Sequence, residues 1–215
     1  MTLRWPGKDA PSAASAAPEP IRTLFAPDGE SRLLHGDNLG ALRALARSHH
    51  ERVTLVYLDP PYLTGRVHEA VERGTRARRA AFDDRWTDRA EYLEHITSRL
   101  EAIRPLLAPH GSVVVHVDSR TSHYVKILGD EIFGEDAFAS EIIWRYRRWP
   151  SKTENFQRVH DVLLRFRKDP REKPRWNTLY EPLAASTLAT WGTKKQRAVV
   201  DERGRRLRSS STVLH

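Results

Sequence analysis

Asp59-Pro60-Pro61-Tyr62 combines three kinds of group that serve one task. The two prolines have no N–H to donate and fix φ, so the backbone between the acid and the ring is rigid and its carbonyls remain acceptors. A carboxylate, a fixed carbonyl and an aromatic face then converge on a small volume. That set suits a flat ring bearing an exocyclic NH2. The oxygens accept its two hydrogens, and Tyr62 stacks on the ring. The plainer reading is a turn at a strand end, with Tyr62 as a core aromatic. What favours a site is the setting of the motif.

The run Val53-Thr-Leu-Val-Tyr-Leu58 leads into the motif without a gap and is rich in β-branched and aromatic residues. It reads as a buried, parallel strand whose carboxyl end carries Asp59, the edge at which open α/β sheets bind ligands. Arg32–His35 reads as a shorter strand. Asp37 or Asn38 then caps a helix carrying Leu39, Leu42 and Leu45. Residues 63–84 read as a long connection with Gly65, Gly74 and the cluster Arg73, Arg76, Arg78 and Arg79. Tyr92, Leu93, Ile96, Leu100, Ile103 and Leu107 keep a 3–4 spacing behind Thr87 or Asp88, which predicts one amphipathic helix of about five turns. Ser112–Val117 is a second apolar strand, so strand, helix and strand make a βαβ unit with a parallel sheet. Asp118 and Ser119 fall on the same edge as Asp59. A helix through Tyr124, Ile127, Leu128, Ile132 and Phe133 stops at Gly134. Segments 138–148 and 159–167 read as an antiparallel pair, and beyond Asp169 the pattern decays among prolines and tryptophans.

The 215 residues suffice for one sizeable α/β core. Residues 1–20 are small and Pro-rich and read as a disordered lead-in without a secretory core. No apolar stretch nears the roughly 18 residues that span a bilayer. There is no cysteine, which excludes disulfides and thiolate metal sites and is compatible with a reducing cytoplasm. The histidines show no ligand spacing, so no metal is expected. Net charge is +8 and uneven: residues 1–141 carry 18 Lys/Arg against 21 Asp/Glu, and residues 142–215 carry 18 against 7. The second part is therefore either a polyanion-binding surface or a solvated basic face.

Five stretches resemble, in order, the site-specific DNA methyltransferases of restriction-modification systems that act on amino groups, in their permuted β arrangement. They are Leu34-His-Gly-Asp-Asn-Leu39, Leu58-Asp-Pro-Pro-Tyr-Leu-Thr-Gly65, Leu106-Leu-Ala-Pro-His-Gly-Ser-Val113, Asp130-Glu-Ile-Phe-Gly134 and His160-Asp-Val-Leu-Leu164. The resemblance implies an α/β fold with a Rossmann-like methyltransferase sheet over residues 21–169. From residue 170 it implies the start of an irregular, basic recognition segment. It implies S-adenosyl-L-methionine as cofactor and double-stranded DNA as substrate. Asp59, Pro60, Pro61 and Tyr62 would be catalytic, and Asp37 and Asp59 would touch the cofactor, Asp37 also serving as the cap. Arg76, Arg78, Arg79, Arg145, Arg147, Arg148, Lys194, Lys195 and Arg197 would meet DNA. Asp at the first motif position favours adenine N6 over cytosine N4. Phe82-Asp83-Asp84 resembles the stretch that closes the family's loop over the base. The family's aromatic-x-Gly-x-Gly cofactor loop has no counterpart here, since no Gly-x-Gly occurs. The expectation is therefore an incomplete sheet, with the motif strand at an uncovered edge. A complementing fragment, a restriction subunit or a second copy would be its partner. The competing expectations are a catalytically silent DNA-binding remnant or subunit, and a methyltransferase acting on RNA or a protein amide.

Overall fold

A computed structural model describes residues 2–6, 8, 22–25, 31, 33–72, 74–75, 77–149, 152, 154–178 and 185–191. Two compact units divide between Arg175 and Trp176. In the first, strands β1 (Arg22–Phe25) and β2 (Leu33–His35) form an antiparallel ribbon. Helix α1 (Asn38–Ser48) follows, capped by Asp37, whose Oδ2 accepts from the Gly40 amide at 2.8 Å. Next come β3 (Val53–Leu58), β4 (Arg66–Val71), β5 (Arg78–Asp84), α2 (Arg89–Ile103), β6 (Leu107–Asp118), α3 (Ser122–Phe133), a 3-10 turn at Glu135–Ala137, β7 (Phe138–Arg145) and β8 (His160–Arg167). In the second unit the described residues hold one short helix, α4 (Ala185–Trp191).

The main sheet has the order β3-β6-β8-β7. β3 and β6 run parallel, with α2 crossing between them, as the βαβ reading requires. β8 pairs antiparallel with both β6 and β7, so the expected carboxyl-terminal pair closes the sheet. Alternation along the strands sends every second residue to one face. Val113, Val115 and Val117 of β6 meet Val162, Leu164 and Phe166 of β8 there. They pack on Tyr92, Ile96, Leu100 and Ile103 of α2 and Val125 and Leu128 of α3, and all these side chains are buried. α3 comes this close because residue 129 is glycine; a Cβ there would run into the Phe166 ring. Gly134, at φ 99°, ends α3 in a conformation that side chains rarely adopt.

Several expectations change. α2 ends at Ile103, with Arg104 as its cap, and Leu107 opens β6 instead of closing the helix. Pro105 explains the difference: Arg104 is still helical and its amide still bonds Leu100, but proline has no N–H with which to carry the helix further. Residues 63–84 are not an open connection, since β4 and β5 form an antiparallel hairpin. β3 is not buried on both faces. Among the described residues it is the sheet's edge strand, and Leu55 and Tyr57 are more than half exposed. The uncovered edge was expected, and the sheet has it. β7 stops at Arg145, so Arg147 and Arg148 lie beyond it. The start of the expected disordered lead-in is packed: Leu3 and Trp5 lie against the core, and the Leu3 amide donates to Glu131 at 2.6 Å. Residues 9–20 lie outside the described residues.

Candidate active site

Parallel register sets the site. Leu58 pairs with Val115, so Asp59 at the end of β3 lies beside His116 on β6. The same register places Asp161 of β8 opposite Asp118 of β6. A polar array runs across the open face of the sheet. Tyr57 Oη is 2.7 Å from His116 Nδ1, which lies 3.9 Å from Asp59 Oδ1. His116 Nε2 is 3.4 Å from Asp161 Oδ2, and the Tyr146 hydroxyl donates to Asp161 Oδ1 at 3.2 Å. Asp59 is open, its side chain 62% exposed, while those of His116 and Asp161 are mostly covered.

The motif folds back on itself. The Tyr62 hydroxyl donates to Asp59 Oδ1 at 2.8 Å, and its ring lies 5.6 Å from that of His116. Burial, then the hydrogen bond to Asp59, push the Tyr62 phenol far above its ordinary range, so it stays a donor at every physiological pH. One Asp59 oxygen is thus engaged, on a side chain that remains open to solvent. Tyr57 is also raised, by burial first and then by the Asp59 and Asp161 charges.

Asp84, at the end of β5, fixes the backbone that follows the motif. It is 1% exposed and takes two donors on each oxygen. Oδ1 accepts from the Leu63 amide at 3.1 Å and the Trp86 indole at 2.9 Å. Oδ2 accepts from the Thr64 amide at 2.8 Å and the Thr64 hydroxyl at 2.6 Å. Leu63 sits at φ 56°, a left-handed conformation that costs a non-glycine residue about 1–2 kcal/mol. The Asp84 bonds hold it there. Burial alone would push this carboxyl up, but the hydrogen bonds from Thr64, Trp86 and Leu63 outweigh it and leave its pKa below the ordinary value.

The motif and the hairpin enclose a cavity of about 430 Å³ lined by Asp59, Pro60, Pro61, Tyr62, Thr64, His68, Phe82 and Asp84. Two of its lining residues are stacked, His68 on Phe82 at 4.4 Å and 11°. The cavity therefore combines aromatic and proline surface with the carboxylates of Asp59 and Asp84. All four motif residues are brought together here. Asp37 is not among the cavity's lining residues: its carboxylate caps α1 and lies 3.5 Å from Arg99 Nη2. Arg78 and Arg79 sit exposed on β5, with Arg78 3.3 Å from Glu69. Arg145, Arg147 and Arg148 are exposed at and beyond the end of β7, and the Arg148 guanidinium lies over the Tyr146 ring at 5.4 Å. Arg76, Lys194, Lys195 and Arg197 lie outside the described residues. His116, Asp161, Thr64 and His68 were not singled out from sequence. The alternation of the β6 run could have placed His116 on the open face. Among the described residues no group of three or more His, Asp and Glu could hold a metal ion.

The model of a family described as DNA methylase matches residues 53–206, well over half of the chain. The type II methyltransferase M.EcaI of Enterobacter cloacae is 30% identical over 198 residues, covering 88% of this chain and 42% of that protein. The Mod subunit of the type III restriction-modification enzyme EcoP15I of Escherichia coli is 25% identical over 197 residues, covering 78% of this chain and 30% of that protein. The chain thus spans less than half the length of these curated relatives. Among solved structures, the PvuII DNA methyltransferase (cytosine-N4-specific) aligns with a TM-score of 0.41 at 21% identity, over 63% of this chain and 48% of that one.

Proposed function

The chain belongs to the DNA methylase family, and on that premise we propose that it serves site-specific methylation of DNA, holding a flipped-out adenine for transfer of a methyl group to N6. The observation that carries this reading is the cavity of about 430 Å³ that brings Asp59, Pro60 and Tyr62 together with the His68–Phe82 stack. An enzyme that works on a base must take it out of the duplex, and a flipped base is read by stacking and by its polar edge. Tyr62 stacks on the ring. The Asp59 carboxylate and the Pro60 carbonyl accept the two amine hydrogens, which turns the nitrogen lone pair out of the ring plane. S-adenosylmethionine, when bound, supplies a methyl group on a sulfonium centre. Asp59 and Pro60 fit one wall of its site by the chemistry of their oxygens. Asp37 fits only in part, because its carboxylate already serves the cap and Arg99. Most of the rate gain comes from position and fixed dipoles. Asp59 is also the base available for the proton that the nitrogen sheds.

Duplex DNA is the proposed partner, met by Arg78, Arg79, Arg145, Arg147 and Arg148. The likeness to a Mod subunit supports a further partner, a restriction subunit or a chain that completes the cofactor site. A second reading is a DNA-binding subunit without catalysis; the family likeness does not favour it, and its support is that the Asp37 carboxylate is engaged by the cap and Arg99.

Labelled S-adenosylmethionine decides between them. The chain is incubated with unmethylated DNA, with and without a fragment bearing an aromatic-x-Gly-x-Gly loop. Label on adenine N6 that Asp59→Ala abolishes is the expected result. Label on cytosine N4 moves the base assignment. DNA binding with no label under either condition leaves the second reading.

A further inference from the structure

Beside the base slot lies a second cavity, of about 280 Å³, and its character is different. Arg66, Arg120, Arg148 and Arg158 line it together with His68 and His160. These cations come from separate parts of the chain: the start of β4, the turn after β6, the segment leaving β7 and the segment entering β8. Asp118 is the one carboxylate in the wall, and it is already bonded to the Arg120 amide at 2.9 Å and to the Arg120 guanidinium. Arg66, Arg148 and Arg158 have no acidic partner among the described residues. The Arg148 guanidinium lies over the Tyr146 ring. Three exposed guanidiniums without an acidic partner around a small polar hollow suit an anion with several oxygens, because the planar fork of arginine matches that geometry.

Position says which anion. Thr64 and His68 belong to both cavities. A nucleotide whose base fills the slot therefore carries its phosphodiester towards the arginines. We propose that this second cavity seats the phosphodiester next to the flipped nucleotide, with Arg66, Arg148 and Arg158 as its ligands. This rests on the DNA reading above. The base slot binds the ring, and the arginine hollow keeps the flipped nucleotide from swinging back into the stack.

The test uses the full chain and a fluorescent duplex with one adenine opposite an abasic site, which lowers the cost of flipping. In two further probes, a neutral methylphosphonate replaces the phosphodiester on the 5′ or the 3′ side of that adenine. Wild type should bind one of these about tenfold more weakly. The variant Arg66→Ala/Arg158→Ala should bind the parent probe weakly, lose about one unit of salt slope per arginine, and no longer distinguish the methylphosphonate probes. Arg78→Ala, outside the hollow, should weaken all probes alike and keep the distinction. Near-ultraviolet circular dichroism checks that the variants fold. Indifference of wild type to methylphosphonate on both sides overturns the proposal. A double variant that keeps the full distinction also overturns it. Inorganic phosphate that binds the hollow without competing with DNA assigns it to a free anion and overturns the DNA role. If wild type binds the abasic probe no better than a fully paired duplex, the base-flipping reading itself fails, a result separate from the other three.

Discussion

Asp84→Asn keeps the size and shape of a buried side chain yet should loosen the ground under the motif. Each carboxylate oxygen accepts two donors, Leu63 N and Trp86 Nε1 on one, Thr64 N and Thr64 Oγ1 on the other. An asparagine can serve only one of these pairs, because its NH2 would face two donors on the other side. Losing two charge-assisted bonds in a buried setting costs roughly 2–4 kcal/mol. The left-handed Leu63 adds an incentive to relax. The loss should appear locally, since Leu63 and Thr64 belong to a loop and not to the α2–β6–β8 core. Hydrogen exchange resolved by residue is the assay. The Thr64 amide should lose protection by about 30- to 1000-fold, with little change in the β6 amides. The pH dependence follows from the same bonds. The folded pKa is depressed, so the unfolded chain takes the proton first, near pH 4. The contribution is therefore full above about pH 4 and is lost as pH falls through the folded value. The Trp86 indole resonance should report that loss in acid. Unchanged Thr64 protection in Asp84→Asn would refute the role given to the carboxylate.

Tyr62→Ala should cost about 1–3 kcal/mol of base binding, read with a 2-aminopurine duplex. Tyr62→Phe removes only the bond to Asp59 and should cost little; equal losses would mean that the ring is not the stacking face. Burial, aided by Arg99, pushes His95 down to about 4. The unfolded chain then binds the extra proton between that value and about 6.5, so stability is full above this window and falls as pH drops through it. Thermal melts of wild type and His95→Gln should diverge in slope there, and parallel curves would exclude the effect. Gly129→Val should cost about 1–3 kcal/mol by overlap with Phe166. A cycle with Phe166→Leu should be less than additive, and strict additivity would show that the two residues do not meet.

The strand and cap readings succeeded where one face of an element had to be buried. The 3–4 spacing of Tyr92, Ile96, Leu100 and Ile103 and the valines of β6 each encode their partner's position. The β4–β5 hairpin was opaque because Arg78-Arg-Ala-Ala-Phe-Asp-Asp84 has no β-branched residue and almost no buried side chain. Its strand form comes from pairing with β4 and from the Asp84 anchor, which lie outside any local pattern. The motif announced Asp59 and Tyr62, but His116 and Asp161 reach the site only through strand register. That register is set by pairings between distant parts of the chain.

The sheet order also dictates when the site comes into being. The hairpin β4–β5 pairs strands close in sequence, and Thr64 reaches Asp84 from within the same segment. Hairpins of this kind form in about 1–10 μs. The polar array needs β3 on β6 and β6 on β8, pairings that join Leu58 to Val115 and His116 to Leu163 across a long helix or strand crossing. Such distant closures come late. During refolding the slot's outer wall should therefore be built before Asp59 has a histidine beside it. Pulse-labelled exchange should protect the His68 and Ala70 amides ahead of those of Tyr57 and Val115. The proposed base site should thus be the last part of the chain to assemble, because Asp59 stands where distant pieces of sequence meet.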